Sequence, residues 1–264
     1  MHTFVKKEYI DIMAKANTFR KPKPKIRKKR SLKGTVVKFI VKAVFYFMVA
    51  SIGSVVFFKF VPIPFTLTMV NEKLSALASG EDSEIHYNWR SYNRVSREMH
   101  LAAVAAEDQL FPQHFGFDFK SMQNAFKNNM KGKKVRGAST ITQQVAKNVF
   151  LWQGRSYVRK ALEVYFTVLI EVIWGKQRIL EVYVNVAEMG PHIFGVEAAS
   201  QHYFGKSAEN ISRVQAAKLA AVLPSPKKWS VSNPGPYVSR RFPKITRQMS
   251  ALGGTAYIRG LRSF

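Results

Sequence analysis

Hydrophobic residues along the chain follow two patterns, and each predicts a different kind of element. From Val36 to Phe60 they are nearly continuous: Ala43 to Phe58 carries no charge, and Lys38, Lys42 and Lys59 sit near the ends, where long stems can snorkel. As a helix rising 1.5 Å per residue this stretch reaches about 37 Å, enough to cross a ~30 Å hydrocarbon layer with some tilt. Beyond residue 95 the apolar positions instead recur at helical spacing. Ser96 opens one such run, Phe119 to Met130 is a second, Ser139 to Leu151 a third, and Ser156 to Trp174 a long fourth closed by Gly175. Lys176 to Val186 and Ser212 to Leu223 add two more; in the last, Ser212 and Gln215 stand at capping-box spacing and Pro224 and Pro226 stop the helix. No alternating run announces a substantial sheet, and there is no internal repeat. After Pro224 the chain is rich in Pro, Ser and Gly and reads as irregular surface. The expectation is a basic tail (1–35), a transmembrane helix (36–60), a membrane-proximal linker (61–94), a mainly helical domain (95–250) and a C-terminal tail (251–264).

Charge changes this picture. The 264 residues hold 42 Lys and Arg against 16 Asp and Glu, a net charge of +26, which excludes an ordinary near-neutral enzyme and points to a polyanion. Hydrophobic residues make up 47% of the chain, enough to build a core and too many for a disordered basic tail. Cysteine is absent, so disulfides, Cys-ligated zinc and thiol catalysis are excluded. Residues 1–33 carry twelve basic side chains against Glu8 and Asp11, with Pro22 and Pro24 interleaved. Alone, such a tract suits nucleic acid. Placed before an apolar helix, it is a topology signal that puts the N-terminus in the cytosol and everything after Pro62 on the other side. A cleaved signal peptide, with Val49 and Ser51 as small residues at the cleavage site, is the alternative; the long basic leader and the unbroken apolar run to Phe60 argue against it.

The remaining charge is concentrated. Residues 119–162 hold ten basic side chains and no acid, with Glu107, Asp108 and Asp118 just before them and Glu163 just after. Carboxylates at the rim of a positive groove suit sugar transfer from a phosphate leaving group: one carboxylate takes a proton from an attacking hydroxyl while cations neutralise the departing phosphate. A solvated basic face with ordinary surface glutamates is the plainer reading. Glu107 and Asp108 end a helix containing Ala102, Ala103, Ala105 and Ala106, so a carboxylate there is expected to be partly desolvated and to hold a proton more readily, as a base requires. His114 with Asp108 and Asp118 has no common metal spacing; structural hydrogen bonds holding the turn are expected of His114 and Asp118. Ser139 reads as the cap of the next helix, on which Gln143 and Lys147, and likewise Gln144 and Asn148, are four apart and share a face. Arg159 and Glu163 have the same spacing, which alone suggests a surface ion pair.

Five ordered blocks turn these fragments into a resemblance: Glu-Asp-x-x-Phe-x-x-His-x-Gly-x-Asp (107–118), Gly-x-Ser-Thr-Ile-x-Gln-Gln-x-x-Lys-Asn (137–148), Arg-Lys-x-x-Glu (159–163), Lys-x-x-Ile-Leu-x-x-Tyr-x-Asn (176–185) and the Ala198 to Lys206 segment, which has one extra position. The chain resembles the family 51 glycosyltransferases, in particular their monofunctional biosynthetic peptidoglycan transglycosylases of Gram-negative inner membranes. The resemblance implies a lysozyme-like helical domain with a membrane-associated lobe, facing the periplasm. It implies inverting transfer of an undecaprenyl-diphosphate-linked glycan to the GlcNAc 4-hydroxyl of lipid II, with Glu107 as general base and Glu163 as a second catalytic glutamate. Asp108, Phe111, Ser139, Gln143, Gln144, Lys147, Asn148, Arg155, Arg159, Lys160 and Lys206 are implied to bind substrate, Lys147 and Arg155 at the diphosphate. No cofactor is required, although some relatives respond to Mg2+ or Mn2+, and no dedicated metal site is expected. The implied partners are lipid II, the growing glycan, the membrane and other cell-wall synthesis or division proteins, with no nucleic acid. Ser225 to Lys228 fits the Ser-x-x-Lys pattern of a transpeptidase, but no Lys-Thr-Gly follows, so no transpeptidase activity is expected. A glycan-cleaving lysozyme or lytic transglycosylase is the nearest rival, since it too uses a glutamate on a helical scaffold, yet it has no need of ten adjacent cations.

Overall fold

The computed structural model describes residues 32–80, 82–130, 139–154 and 156–261, so the basic tail and Arg155 lie outside the described residues. The chain divides into two units, 1–48 and 49–264. They share one long helix, α1 (Leu32–Phe60), whose stretch Thr35–Phe60 is long and apolar enough to cross a membrane. In the first unit its residues from Thr35 onward are exposed, including Phe39, Phe45 and Tyr46. In the second unit its last turns are part of the domain: Val55 is fully buried and its carbonyl accepts from the Trp174 indole at 2.6 Å, while the Arg178 guanidinium donates to the carbonyls of Phe58 and Val61. Phe58 is among the last four residues of the helix, whose carbonyls have no partner within it, so the Arg178 bond satisfies one of them.

The segment after α1, expected as a linker, forms α2 (Leu67–Ser79), started by the Thr66 side chain accepting from Met69 N–H and ended at Gly80 in the left-handed region, φ 69°. The domain centre is α3 (Arg97–Glu107), whose residues Met99 to Ala105 are all buried; such a helix needs small alanines where neighbours approach from several sides. Then come α4 (Phe119–Met130), α5 (Ile141–Phe150), α6 (Tyr157–Ile173) and α7 (Gly175–Val186). Gly175, φ 75°, makes the sharp turn between α6 and α7. The chain continues through α8 (Val196–Phe204), α9 (Arg213–Val222) and α10 (Pro236–Ala251). The helix α9 has the reciprocal Ser212–Gln215 capping box that its spacing predicts. Three very short strands, β1 (His86–Tyr87), β2 (Glu188–Gly190) and β3 (Ile193–Phe194), form a sheet in the order β1-β3-β2, with β1 parallel and β2 antiparallel to β3. At two or three residues each, they are too brief to leave an alternating pattern.

The chain is mainly helical, as expected, but three expectations fail in detail. The stretch after Pro224 is not all irregular: α10 begins with Pro236 in its first turn, where a missing N–H costs nothing, and buries Val238, Ile245 and Met249 against α9 and α3. Its proline and basic residues hid that apolar stripe, and Pro243 inside it breaks the usual rule for helix interiors. The C-terminal tail also docks, because a 3-10 turn over Gly254–Ile258 buries Ile258 and the Tyr257 hydroxyl donates to Gln109 O at 2.7 Å. Finally, Ser139 is exposed, and Thr140 caps α5 instead.

Candidate active site

The site begins where α3 stops. Asp108 leaves the helical conformation (φ −157°), and its buried carboxylate accepts from His114 Nε2 at 2.9 Å and from the backbone N–H of Ile141 at 3.0 Å. Ile141 is the first residue of α5, so Asp108 takes up one of its unsatisfied N–H groups and adds a negative charge at the positive end of the helix dipole. The Thr140 hydroxyl donates to Gly116 O at 2.6 Å, a second tie between this turn and α5. Gly116 (φ 75°) leaves no space for a side chain, since a Cβ would lie 2.7 Å from Thr167. Asp118 is used locally, accepting from Ser121 N–H at the start of α4.

These ties set the end of α3 against the side of α5, and Glu107 meets Gln144 there. The Gln144 amide donates to Glu107 Oε2 at 3.1 Å, and Arg241 of α10 stands 3.6 Å from Oε1. The Glu107 side chain is 15% exposed, and burial outweighs both partners, pushing its pKa up from the ordinary carboxylate value. Such a carboxylate is reachable and readier than a surface glutamate to take a proton.

Three residues further along α5, on the same side, is Lys147, which lies in the field of a second carboxylate. Glu163 on α6 is buried, pairs with Arg159 Nη1 at 3.0 Å and is also bonded by Lys160 Nζ. Burial lowers the Lys147 pKa, with Glu163 opposing and Arg159 and Lys160 reinforcing that shift. Three cations thus surround one anion, leaving net positive charge beside Glu163. The adjacent α6–α7 corner holds another buried acid, Glu171, bonded by Thr142 and Lys176 at 2.6 Å each, with the Lys176 ammonium 4.5 Å from the Phe111 ring centre.

Comparison with known proteins decides the relationship. The profile of the transglycosylase family matches residues 72–250. The chain belongs to this transglycosylase family. It is 50% identical over 217 residues to the biosynthetic peptidoglycan transglycosylase of Pseudomonas aeruginosa PAO1, covering 82% of this chain and 94% of that protein. The Pasteurella multocida protein of the same name is 51% identical over 208 residues, 78% of this chain and 85% of its own length. That of Pseudomonas putida KT2440 is 48% identical over 229 residues, 87% and 97% respectively. The family match starts within α2 and ends within α10, so two helices hidden from pattern reading belong to the transglycosylase domain.

Within that domain the residues expected to bind substrate separate into groups. Glu107, Gln144, Lys147 and Asn148 share the partly open side of the α3–α5–α6 junction, and Arg159, Lys160 and Glu163 adjoin it. Gln143 does not line a cleft: it is buried, and its side-chain carbonyl accepts from Thr140 N–H as the return half of a capping box. Phe111 is fully buried beneath Lys176 and presents no surface to a ligand. Ser139 is exposed beside Thr140, and Arg155 falls outside the described residues. Lys206 is at the wrong end of α3, because Ala208 O, two residues on, accepts from the N-cap Ser96, whereas Glu107 ends that 11-residue helix, about 16 Å away. Pattern reading missed Arg241, Tyr183, Thr142 and Glu171, which reach the site by tertiary packing. The Lys176 to Asn185 block was the one available signal for Tyr183.

Proposed function

We propose that this transglycosylase polymerises lipid II into β-1,4-linked glycan strands, with Glu107 as general base and the Lys147, Arg159, Lys160 and Arg155 cations receiving the diphosphate. The observation that carries this reading is the pairing of a partly desolvated carboxylate that keeps access to solvent with a cluster of cations on the same side of α5. Glu107 removes the proton of the GlcNAc 4-hydroxyl of lipid II as its oxygen bonds to the anomeric carbon at the reducing end of the growing chain. The bond from that carbon to the undecaprenyl-diphosphate oxygen breaks, the electron pair leaves with the diphosphate, and α configuration becomes β. The cations stabilise the charge that develops on the leaving oxygens, so no strong acid is needed on that side. Glu163 does not share the role of base: it holds Arg159 and Lys160 in place for the diphosphate. Among the described residues no three His, Asp or Glu side chains are grouped to hold a metal, and Asp108, Glu163 and Glu171 are committed to N–H or cationic partners. No step is routed through a divalent ion.

The apolar helix α1 confines the enzyme to the bilayer that holds its lipid-linked substrates, which raises the effective concentration of the reactants. The basic residues 1–33 place the N-terminus in the cytosol, and the catalytic domain works on the periplasmic side of the inner membrane. Other cell-wall synthesis or division proteins are its expected partners. Incubation of the purified full chain with lipid II tests the reading: a polymer that lysozyme digests supports it, whereas shortening of preformed glycan with lipid II untouched overturns it.

A further inference from the structure

Beneath Gln144 lies Tyr183 of α7, which is 1% exposed and whose hydroxyl donates to Gln144 Oε1 at 3.5 Å. The opposite end of the same amide donates to Glu107 Oε2 at 3.1 Å. Hydroxyl, amide and carboxylate thus form one line of donors directed from a buried helix to the reacting group. We propose that Tyr183 is a positioning residue for the base: through Gln144 it fixes which end of the amide faces Glu107 and so sets the pH at which Glu107 becomes available to accept a proton. The inference rests on the reading of Glu107 as the base.

An amide has two nearly isosteric orientations, one offering Glu107 an N–H donor and the other a carbonyl oxygen. A donor favours the carboxylate and a carbonyl favours the protonated acid, so the orientation acts directly on proton affinity. The Tyr183 hydroxyl biases the choice from below, because its proton pairs with the amide oxygen only when the amide N–H points to Glu107. Each bond in such a chain also polarises the next, so the hydroxyl strengthens the N–H donated to Glu107 without touching it. Among the described residues, the other charged or titratable groups facing Glu107 are Arg241 from α10 and the neighbouring Asp108, with Tyr183 itself from α7. Arg241 lies on the Oε1 side, opposite the amide, so the two influences are separable by mutation. Tyr183 is buried behind Gln144 and does not reach substrate, so its loss is expected in turnover rather than in KM.

The test is the pH dependence of lipid II polymerisation by the full chain, with Tyr183→Phe, Gln144→Met and the double variant beside wild type and Glu107→Gln. Tyr183→Phe is expected to lower kcat by about tenfold, to leave KM within about twofold, and to move the acid limb up by about half a pH unit. Gln144→Met is expected to give the same upward shift, and the double variant to match Gln144→Met alone, because Tyr183 acts through the amide. An unmoved acid limb in Tyr183→Phe, or additive effects in the double variant, overturns the relay. Should Tyr183→Phe not fold, an unmoved limb in Gln144→Met overturns it equally. Near-normal turnover by Glu107→Gln would instead mean that the base is misassigned, a result separate from failure of the relay.

Discussion

Glu107 and Glu163 carry the same carboxyl group in nearly opposite surroundings. Glu107 ends a helix of alanines, has one neutral amide donor and a partly exposed arginine at 3.6 Å, and burial raises its proton affinity. Glu163 lies within a helix, is more deeply buried, and is clasped by Arg159 and Lys160. The difference teaches that burial alone does not make a base. A buried acid with close cationic partners is a fixed anion that organises them, and an acid with few partners is left able to exchange a proton.

Exchanging the character of either glutamate should break the comparison. Glu107→Gln, which keeps the shape and removes the proposed base, is expected to lower turnover by about a thousandfold while the melting temperature stays within a few degrees; a lipid II assay and a melt check both halves. Glu163→Gln is expected to cost about a hundredfold in kcat/KM and about 2 kcal/mol of stability. That is less than a fully buried pair would cost, because Lys160 is 46% exposed, and calorimetry beside the same assay reads it. Lys147→Ala should lower kcat/KM for lipid II about tenfold, mainly through kcat, as expected for a group that stabilises charge developing on the departing diphosphate; unchanged kinetics would remove it from the site.

A finer distinction lies in pH. The ionised carboxylate is the active form of a base, so the rate falls as pH drops through the Glu107 pKa. Burial raises that pKa, so the acid limb of kcat/KM is expected above the ordinary carboxylate value of 4.5. Arg241→Met removes a charge that favours ionisation and should move the limb further up, by less than about half a unit because Arg241 is 28% exposed. A downward shift would reverse the assigned electrostatics. The smallest effect on catalysis is expected from Gln143→Leu, which breaks the Thr140 capping box, costs about 1 kcal/mol in a denaturant melt and leaves KM unchanged.

Gln143 and Gln144 also mark the boundary between what the sequence tells and what only packing decides. Helices α3, α4, α5, α6, α7 and α9 were legible because serine or glycine punctuates a helical apolar period. Two adjacent glutamines, however, cannot reveal which faces the cleft. That depends on whether Ser139 or Thr140 caps α5, and only the fold, by setting Gly116 O against the Thr140 hydroxyl, resolves it. The ordered motif blocks name both glutamates and Lys147, which the fold brings to one helix junction, yet a linear block also swept in Phe111, which serves the core, and Lys206, at the far end of α3. Arg241 and Tyr183 were invisible as neighbours of Glu107, being 134 and 76 positions away in a chain whose packing alone brings them together. The helix carrying Arg241 was hidden further by its prolines.

The most direct test of the account is the initial rate of lysozyme-digestible polymer formation from lipid II as a function of pH, measured with wild type and Glu107→Gln. The account predicts a wild-type rate that falls on acidification through a pKa above 4.5, and a Glu107→Gln enzyme that stays folded, inserts in membranes and makes essentially no polymer at any pH. Polymer made by Glu107→Gln at close to the wild-type rate, with the same acid limb, would contradict it.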